Sequence, residues 1–130
     1  MIFLSTKSVD SISVTDILIY MNENYTPLTP AVCHILLALS SGERHGYDIM
    51  KQVAKDSNNT VTMGPGTLYG SIKRMIEAGL ITEAGTKIGE NKKERIYYRL
   101  TGHGRKSLGA EINRYSAIVK IARKSIPQLS

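Results

Sequence analysis

The chain has 130 residues, 42% of them hydrophobic and 22% charged, a composition that excludes both wholesale disorder and a multidomain assembly. Seventeen basic against eleven acidic residues give a net charge of +6, which favours acidic partners, nucleic acid first among them. The single cysteine, Cys33, excludes an intrachain disulfide, and no apolar run approaches the roughly 20 residues that cross a bilayer, so we expect a cytoplasmic protein without membrane contact.

The first predicted element is a short helix near the N-terminus, with Ser13 and Asp16 as its capping pair. This helix has no obvious place in a three-helix core, so we expect it to join an interface between subunits. Its apolar residues stand at helical spacing: Val14, Ile17, Leu18 and Met21.

Two further helices are predicted with only a few residues between them. Thr29 followed by Pro30 is a helix start, because proline at the first helical position loses no hydrogen bond. This helix runs to about Ser41, where Ser-Ser-Gly ends the apolar pattern. The next helix begins near His45-Gly46-Tyr47 and stops before Asp56.

The third helix of this group starts at Met63-Gly64-Pro65-Gly66 and turns Leu68, Ile72 and Met75 inward. A short strand, Leu80 to Glu83, and a loop from Ala84 to Glu94 follow. The segment from Arg95 to Leu100 is rich in aromatic and β-branched residues and predicts a returning strand. We therefore expect a β-hairpin with a basic tip.

The last element is a long helix that Thr101 caps and that ends near Ser125, before Pro127. Its apolar residues step alternately by four and three, the spacing of a heptad seam, which predicts a partner helix. An ordinary amphipathic helix lying on its own core is the alternative. The seam consists of Leu108, Ile112, Tyr115, Val119, Ala122 and Ile126.

This order of helices and hairpin predicts a mainly α (α+β) fold, a winged helix-turn-helix with an N-terminal helix and a long C-terminal dimerisation helix. In such a fold the third helix of the core enters the major groove of DNA, and the hairpin, the wing, reaches phosphates or the minor groove. A solvated surface is the alternative for the charged positions. The candidate contacts are Thr67, Tyr69, Ser71, Lys73 and Arg74 on the helix, and Lys92, Lys93 and Arg95 on the wing.

Catalysis has no candidate site in the sequence. Cys33 and His34 point to different faces of a helix, and the other histidines lie far away, so no metal-ligand spacing is present. Gly102-His103-Gly104 lacks the third glycine of a dinucleotide fingerprint. We expect no enzyme activity, no metal and no cofactor.

The sequence resembles the PadR-like transcriptional regulators over about residues 28–108. Each matching segment is weak by itself, but together, in this order and at these spacings, they are specific. The segments are Leu28-Thr29-Pro30, His45-Gly46-Tyr47-Asp48-Ile49, the run from Gly66 to Met75, Gly79-Leu80-Ile81, Arg95 to Thr101, and Gly104-Arg105.

The resemblance implies a dimeric DNA-binding repressor of the smaller subfamily, with one C-terminal helix, and adds Tyr47 and Gly66 to the DNA-binding residues. It divides the chain into an N-terminal extension, 1–28, a DNA-binding domain, 29–101, and a dimerisation helix, 102–130. Two departures are the length of the N-terminal extension and Gly70, where the family often has proline. The dimerisation residues would be Ile17, Met21, Leu108, Ile112, Tyr115, Val119 and Ala122.

Some relatives respond to aromatic or cationic small molecules held at the dimer interface. This chain has no tryptophan, and Tyr20, Tyr115 and Phe3 are the residues that would line such an effector site. Plain packing is the alternative for a tyrosine on the heptad seam. The competing function is a protein-interaction module that keeps the winged helix but does not bind DNA. One continuous exposed basic surface would distinguish the DNA-binding protein from this module.

Overall fold

The computed structural model describes residues 12–24, 26–89 and 91–129. Within them, the chain forms five α-helices and a three-stranded antiparallel sheet, and a 3-10 turn at Pro127–Leu129 follows the last helix. The elements are α1 (Val14–Asn24), α2 (Pro30–Leu39), β1 (Arg44–His45), α3 (Gly46–Asp56), α4 (Pro65–Glu77), β2 (Ile81–Ile88), β3 (Glu94–Leu100) and α5 (Gly102–Ser125). The predicted fold class, a winged helix-turn-helix with an added N-terminal helix, is confirmed.

Side-chain caps start three of the helices where the sequence predicts. The Ser13 hydroxyl accepts a hydrogen bond from the Asp16 amide (3.1 Å), and the Asp16 carboxylate accepts one from the Ser13 amide (3.3 Å). Thr29 accepts from the Val32 amide before α2, and Thr101 accepts from the Gly104 amide before α5. Each cap satisfies an amide that the first turn leaves unpaired.

The core lies between α2, α3, α4 and the sheet. Ile35 and Leu36 from α2, Ile49 from α3 and Leu68 from α4 are fully buried there. Leu108, on the first half of α5, belongs to the same core. The prediction that Leu108 contributes to a dimer interface is therefore wrong, because its own subunit already covers it.

The sheet has the order β1-β3-β2, and β2 and β3 form the wing. The predicted loop from Ala84 to Glu94 is wrong, since β2 continues to Ile88 and pairs with β3 down to Ile88 opposite Glu94. A register shift between Glu83 and Thr86 bends the ribbon at Gly85, which has a φ of 94°. Beyond this bulge most side chains of β2 are exposed, so no alternation of apolar and polar residues marks the strand.

The start of α5 is fixed against the turn between α4 and β2. Gly104 lies so close to Leu80 that a Cβ there would overlap the Leu80 carbonyl oxygen. Further along α5, the carboxylate of Glu111 is completely buried and accepts hydrogen bonds from the Leu28 amide (2.5 Å) and from Arg114 Nε (2.6 Å). The bond from Leu28 holds the segment before α2 against α5, and the bond from Arg114 lies within α5.

Helix α1 packs on α5 of its own chain. Ile17 lies against Gly109, where an added Cβ would be 3.0 Å from Ile17 Cδ1. Met21 Sδ is 3.8 Å from Asn113 Nδ2. Both apolar side chains are half-buried here, and their participation in an interface between subunits remains a prediction.

Candidate nucleic-acid interface

Helix α4 has one buried and one exposed side. Leu68, Ile72 and Met75 anchor it in the core, as predicted. The helix follows Gly64, which makes no side-chain cap, so amides of its first turn are left for water or an anion. The exposed side carries hydroxyl groups and cations at Thr67, Tyr69, Lys73 and Arg74, as predicted, and Gly66 is exposed with them.

Ser71 does not belong to this exposed side. Its side chain is only 4% exposed, because position 71 follows Leu68 by three residues and precedes Met75 by four, which places it on the core side of the helix. Its hydroxyl lies 3.3 Å from the Arg74 guanidinium. The prediction that Ser71 faces DNA is therefore wrong. Ser71 instead accepts a hydrogen bond from the Arg74 guanidinium.

The exposed side of α4 continues onto the start of α3 and onto the wing. Tyr69 packs on Gly46 so closely that a Cβ on the glycine would overlap the Tyr69 ring and hydroxyl. Tyr69 and Gly46 also line a cleft together with Arg95 and Ile96 of β3. The side chains of α4 and of the wing thus share one surface.

A second cleft, of about 490 Å³, lies between the start of α3 and the tip of the wing. Tyr47 projects from α3 with half of its surface exposed, Lys51 Nζ is 5.4 Å from the centre of its ring, and the Arg95 guanidinium carbon is 5.9 Å from it. Lys51 was not predicted as a contact; its position one helical turn after Tyr47 is the signal that would have found it. Two cations beside one exposed aromatic ring suit a phosphate and its sugar.

His45 lies at the back of this cleft. Its Nδ1 accepts a hydrogen bond from the Asp48 amide (3.2 Å) and caps α3, and its ring meets Tyr97 edge-on at 5.3 Å. Burial lowers the pKa of His45, and the positive charge of Arg95 lowers it further. Both effects favour the neutral imidazole that the cap requires.

The tip of the wing presents Lys92 and Lys93 to solvent. Gly89 and Lys93 close the turn through a backbone hydrogen bond of 3.0 Å, and Lys92 has a φ of 58°. Lys87, by contrast, is paired: its Nζ lies 3.0 Å from Glu43 and 4.6 Å from the centre of the Tyr97 ring. Lys87 therefore ties the wing to the turn before β1, whereas the two tip lysines extend from it.

The second half of α5 carries aliphatic side chains on its surface. Of the predicted dimerisation residues, Ile112, Tyr115 and Val119 are exposed and Ala122 is half-buried. Ile118 and Ile121, which the heptad spacing did not include, are exposed on the same half of the helix circumference. We refer to Ile112, Tyr115, Ile118, Val119 and Ile121 as the α5 apolar face.

Other kinds of site find little support in the part of the chain that the structure describes. Three or more His, Cys, Asp or Glu side chains arranged to hold a metal ion are absent from it. Burial raises the pKa of the Cys33 thiol, and the negative charge of Glu111 raises it further, so the sulfur is held as the unreactive thiol. Among the described helices, none is both long and apolar enough to span a bilayer.

Solved structures with the same fold include proteins that regulate transcription. A PadR family transcription regulator from Clostridium difficile is 26% identical, with a TM-score of 0.63 over 75% of this chain and 99% of that one. A transcriptional regulator from Clostridium thermocellum is 27% identical, with a TM-score of 0.56 over 73% and 91%. Bacillus subtilis PadR in complex with operator DNA is 29% identical, with a TM-score of 0.53 over 60% of this chain and 44% of that one.

The sequence comparisons agree with the structural ones. An uncharacterised protein of Lysinibacillus sphaericus is 25% identical over 87 residues, which cover 67% of this chain and 79% of that protein. Residues 35–110, more than half of the chain, match the family described as the transcriptional regulator PadR-like family. This protein therefore belongs to the PadR-like family of transcriptional regulators, and its winged helix-turn-helix is a DNA-binding fold.

Proposed function

We propose that this protein is a homodimeric repressor that binds a pseudo-palindromic operator, with α4 in the major groove and the wing on the flanking backbone. The observation that carries the proposal is a pair of clefts that share Arg95 and are lined by Tyr69 of α4 and by Tyr47 and Lys51 of α3. Thr67, Lys73 and Arg74 are exposed on the same helix as Tyr69. Such a surface offers cations and hydroxyl groups to phosphates and side chains to base edges.

Within this surface, the position of each residue determines which part of the DNA it would contact. The first turn of α4, with free amides and the Thr67 hydroxyl, suits a phosphate oxygen. Lys73 and Arg74, one to two turns further along, are placed to reach base edges, and guanine is the base that such side chains bind best. Lys92 and Lys93 at the wing tip would bind phosphates without reading sequence.

The dimer rests on the α5 apolar face. Five large exposed side chains on one half of a helix form an apolar area that a monomer leaves in contact with water. A two-fold axis along this face would cover the same residues on both subunits. The two α4 helices would then enter successive major grooves roughly 34 Å apart, on one side of the duplex.

Binding of the full-length chain to promoter DNA from its own locus tests the proposal by electrophoretic mobility shift. We expect a retarded complex at low salt that weakens steeply at higher salt, since each bound phosphate adds about 0.9 to the slope of log K against log salt. DNA of the same composition but scrambled sequence is the control. No retardation at low salt would overturn DNA binding and favour the protein-interaction module instead.

Two further measurements address the symmetry and the direction of regulation. Insertion of five base pairs between the half-sites turns one half-site to the opposite face of the duplex, so a dimer that binds both should lose most of its affinity. Addition of the protein to a purified transcription reaction should lower the yield of the transcript. An operator insensitive to the insertion would contradict the dimer, and a rise in transcript would contradict repression.

A further inference from the structure

A cavity of about 320 Å³ lies between α1, the first turns of α5 and the turn that follows α4. This volume falls at the small end of the range in which proteins hold small ligands. The cavity is separate from the proposed DNA-binding surface and from the α5 apolar face. It lies within one subunit, unlike the effector site at a dimer interface that the family resemblance implies.

One end of the cavity is polar. The hydroxyl of Tyr20, a side chain only 5% exposed, lies 2.9 Å from His103 Nδ1 and 2.9 Å from Ser107 Oγ. In one tautomer of His103, Tyr20 donates to the ring and Ser107 donates to Tyr20, which leaves acceptor lone pairs free. In the other, His103 donates to Tyr20 and Tyr20 donates to Ser107, which leaves the Ser107 proton free. A ligand hydroxyl fits both cases, because it can donate or accept.

The rest of the lining is uncharged and, apart from Thr26, apolar. Leu28, Leu80 and Ala110 contribute carbon surface, and none of the described lining residues is Asp, Glu, Lys or Arg. Transfer of an ion into such a site would be costly without an opposite charge. The chemistry therefore favours a neutral, mostly apolar molecule that carries one hydroxyl group.

The cavity touches the end of the helix that we place in the major groove. Ala78, the C-terminal cap of α4, lines it. The Thr101 hydroxyl donates to the carbonyl oxygen of the adjacent Gly79 (2.5 Å), and Thr101 in turn caps α5. A molecule in the cavity would contact both α5 and the end of α4. Its binding would therefore affect the angle between α5, which we place in the dimer interface, and α4, which we place in the major groove.

Part of this lining is outside the region that matches the family. Tyr20 and Leu28 precede residue 35, where the match to the PadR-like family begins. Tyr20 comes from α1, the N-terminal helix that is added to the three-helix core. This helix therefore contributes Tyr20 to the polar end of the cavity, beside His103 and Ser107 of α5.

We propose that the cavity between α1 and α5 is an effector site for a neutral, mostly apolar small molecule with one hydroxyl group, and that its occupancy changes the affinity for DNA. The second part of this proposal rests on the proposed function. A ligand shifts the DNA affinity only if it binds the free and DNA-bound arrangements of α4 and α5 differently.

Benzyl alcohol and ethylbenzene are suitable probes, since they have the same number of non-hydrogen atoms and differ by one hydroxyl group. Titration of the ¹⁵N-labelled full chain should give saturable amide shifts around residues 20, 78–80 and 103–110. Benzyl alcohol should bind several-fold more tightly than ethylbenzene. Ser107→Ala should reduce that preference, and Ala78→Leu, which fills the cavity from its exposed edge, should weaken both probes at least tenfold.

The effect of the ligand on DNA binding is tested by measuring the operator affinity in the absence and in the presence of saturating benzyl alcohol. We expect a change of at least threefold for the wild type and none for Ala78→Leu, whose spectrum in the absence of probe reports whether it is folded. Shifts that do not saturate, or that Ala78→Leu leaves unchanged, would overturn the site. Binding without an effect on DNA affinity would overturn the effector role, whereas failure of the wild type to bind DNA without any probe would count against the proposed function alone.

Discussion

The exposed side of α4 and the α5 apolar face are both surfaces that a core helix turns outward, yet they differ in chemistry. The first carries hydroxyl groups and cations opposite a buried apolar side, so its exposed residues are polar or charged and are readily hydrated. The second leaves five large apolar residues exposed among the residues that the structure describes. The difference indicates two partners, one bound by salt-sensitive charge and one by burial of apolar area.

The largest effect should come from a charge in the α5 apolar face. Ile118→Glu would place two carboxylates near the two-fold axis, where burial of an unpaired charge is costly. We expect the dimer Kd to rise roughly 100-fold or more, with tenfold for every 1.4 kcal/mol, as measured by sedimentation velocity. Lys120→Gln changes the net charge by the same single unit on the opposite side of α5 and should leave the dimer intact. Equal dissociation of both variants would contradict this interface.

A smaller effect is expected from the exposed side of α4. Arg74→Ala should weaken operator binding by about 1–3 kcal/mol if the guanidinium makes a bidentate base contact, and should reduce discrimination between operator and mutated operator. Binding titrations at one fixed salt concentration measure both quantities. Lys55→Ala, at the far end of α3 from Tyr47, removes the same charge and should change the affinity little. An equal loss on all DNA sequences would assign Arg74 to phosphate instead.

The sequence predicts an element well when residues within the same turn or strand determine where it begins and ends. Thr29, Pro30 and Thr101 fix helix starts through bonds within one turn, and the starts of α2 and α5 were predicted correctly. The alternation that would mark the second half of β2 is missing, because the wing is exposed on both faces there. Local signals thus predicted the helices, but not the full length of the wing.

Errors at single residues had two causes: packing decides the burial of Leu108, whereas spacing from Leu68 and Met75 already places Ser71 on the core side of its helix. Leu108 fits the heptad seam but is covered by its own core, and Ser71 is polar but lies on the core side of α4. The cavity beside Tyr20 depends on elements far apart in sequence, whereas Lys51 is marked locally by its spacing from Tyr47. Phe3, predicted for an effector site, lies outside the described residues. The sequence therefore predicted the chemical character of each surface, but not all of the residues that form it.

The wing should contribute affinity without specificity. Lys92→Gln combined with Lys93→Gln should lower the slope of log K against log salt by up to about 1.8, by equal amounts on operator and scrambled DNA. Lys92→Gly removes only one of the two charges and accepts the φ of 58° more easily than glutamine, so it should lower the slope by about 0.9, and a larger loss would reveal a backbone effect. If the double variant keeps the full slope, the wing tip does not contact DNA phosphates.

The smallest effect is a dependence of stability on pH through His45. Because the folded pKa of His45 lies below the ordinary value near 6.5, the unfolded chain binds a proton more readily. Its contribution to the free energy of unfolding is therefore present above pH 6.5 and is lost as the pH falls through the folded pKa. The loss should stay within the ~1 kcal/mol that a helix cap contributes.

His45→Asn keeps an acceptor for the Asp48 amide but does not titrate, so it isolates this contribution. In urea unfolding between pH 8 and 5.5, at one protein concentration so that dimer dissociation contributes equally, the wild type should lose stability more steeply than the variant below pH 6.5. Parallel curves would mean that the cap does not depend on the charge of His45. A steeper loss in the wild type would instead tie the start of α3, and with it the placement of Tyr47 and Lys51, to the neutral imidazole.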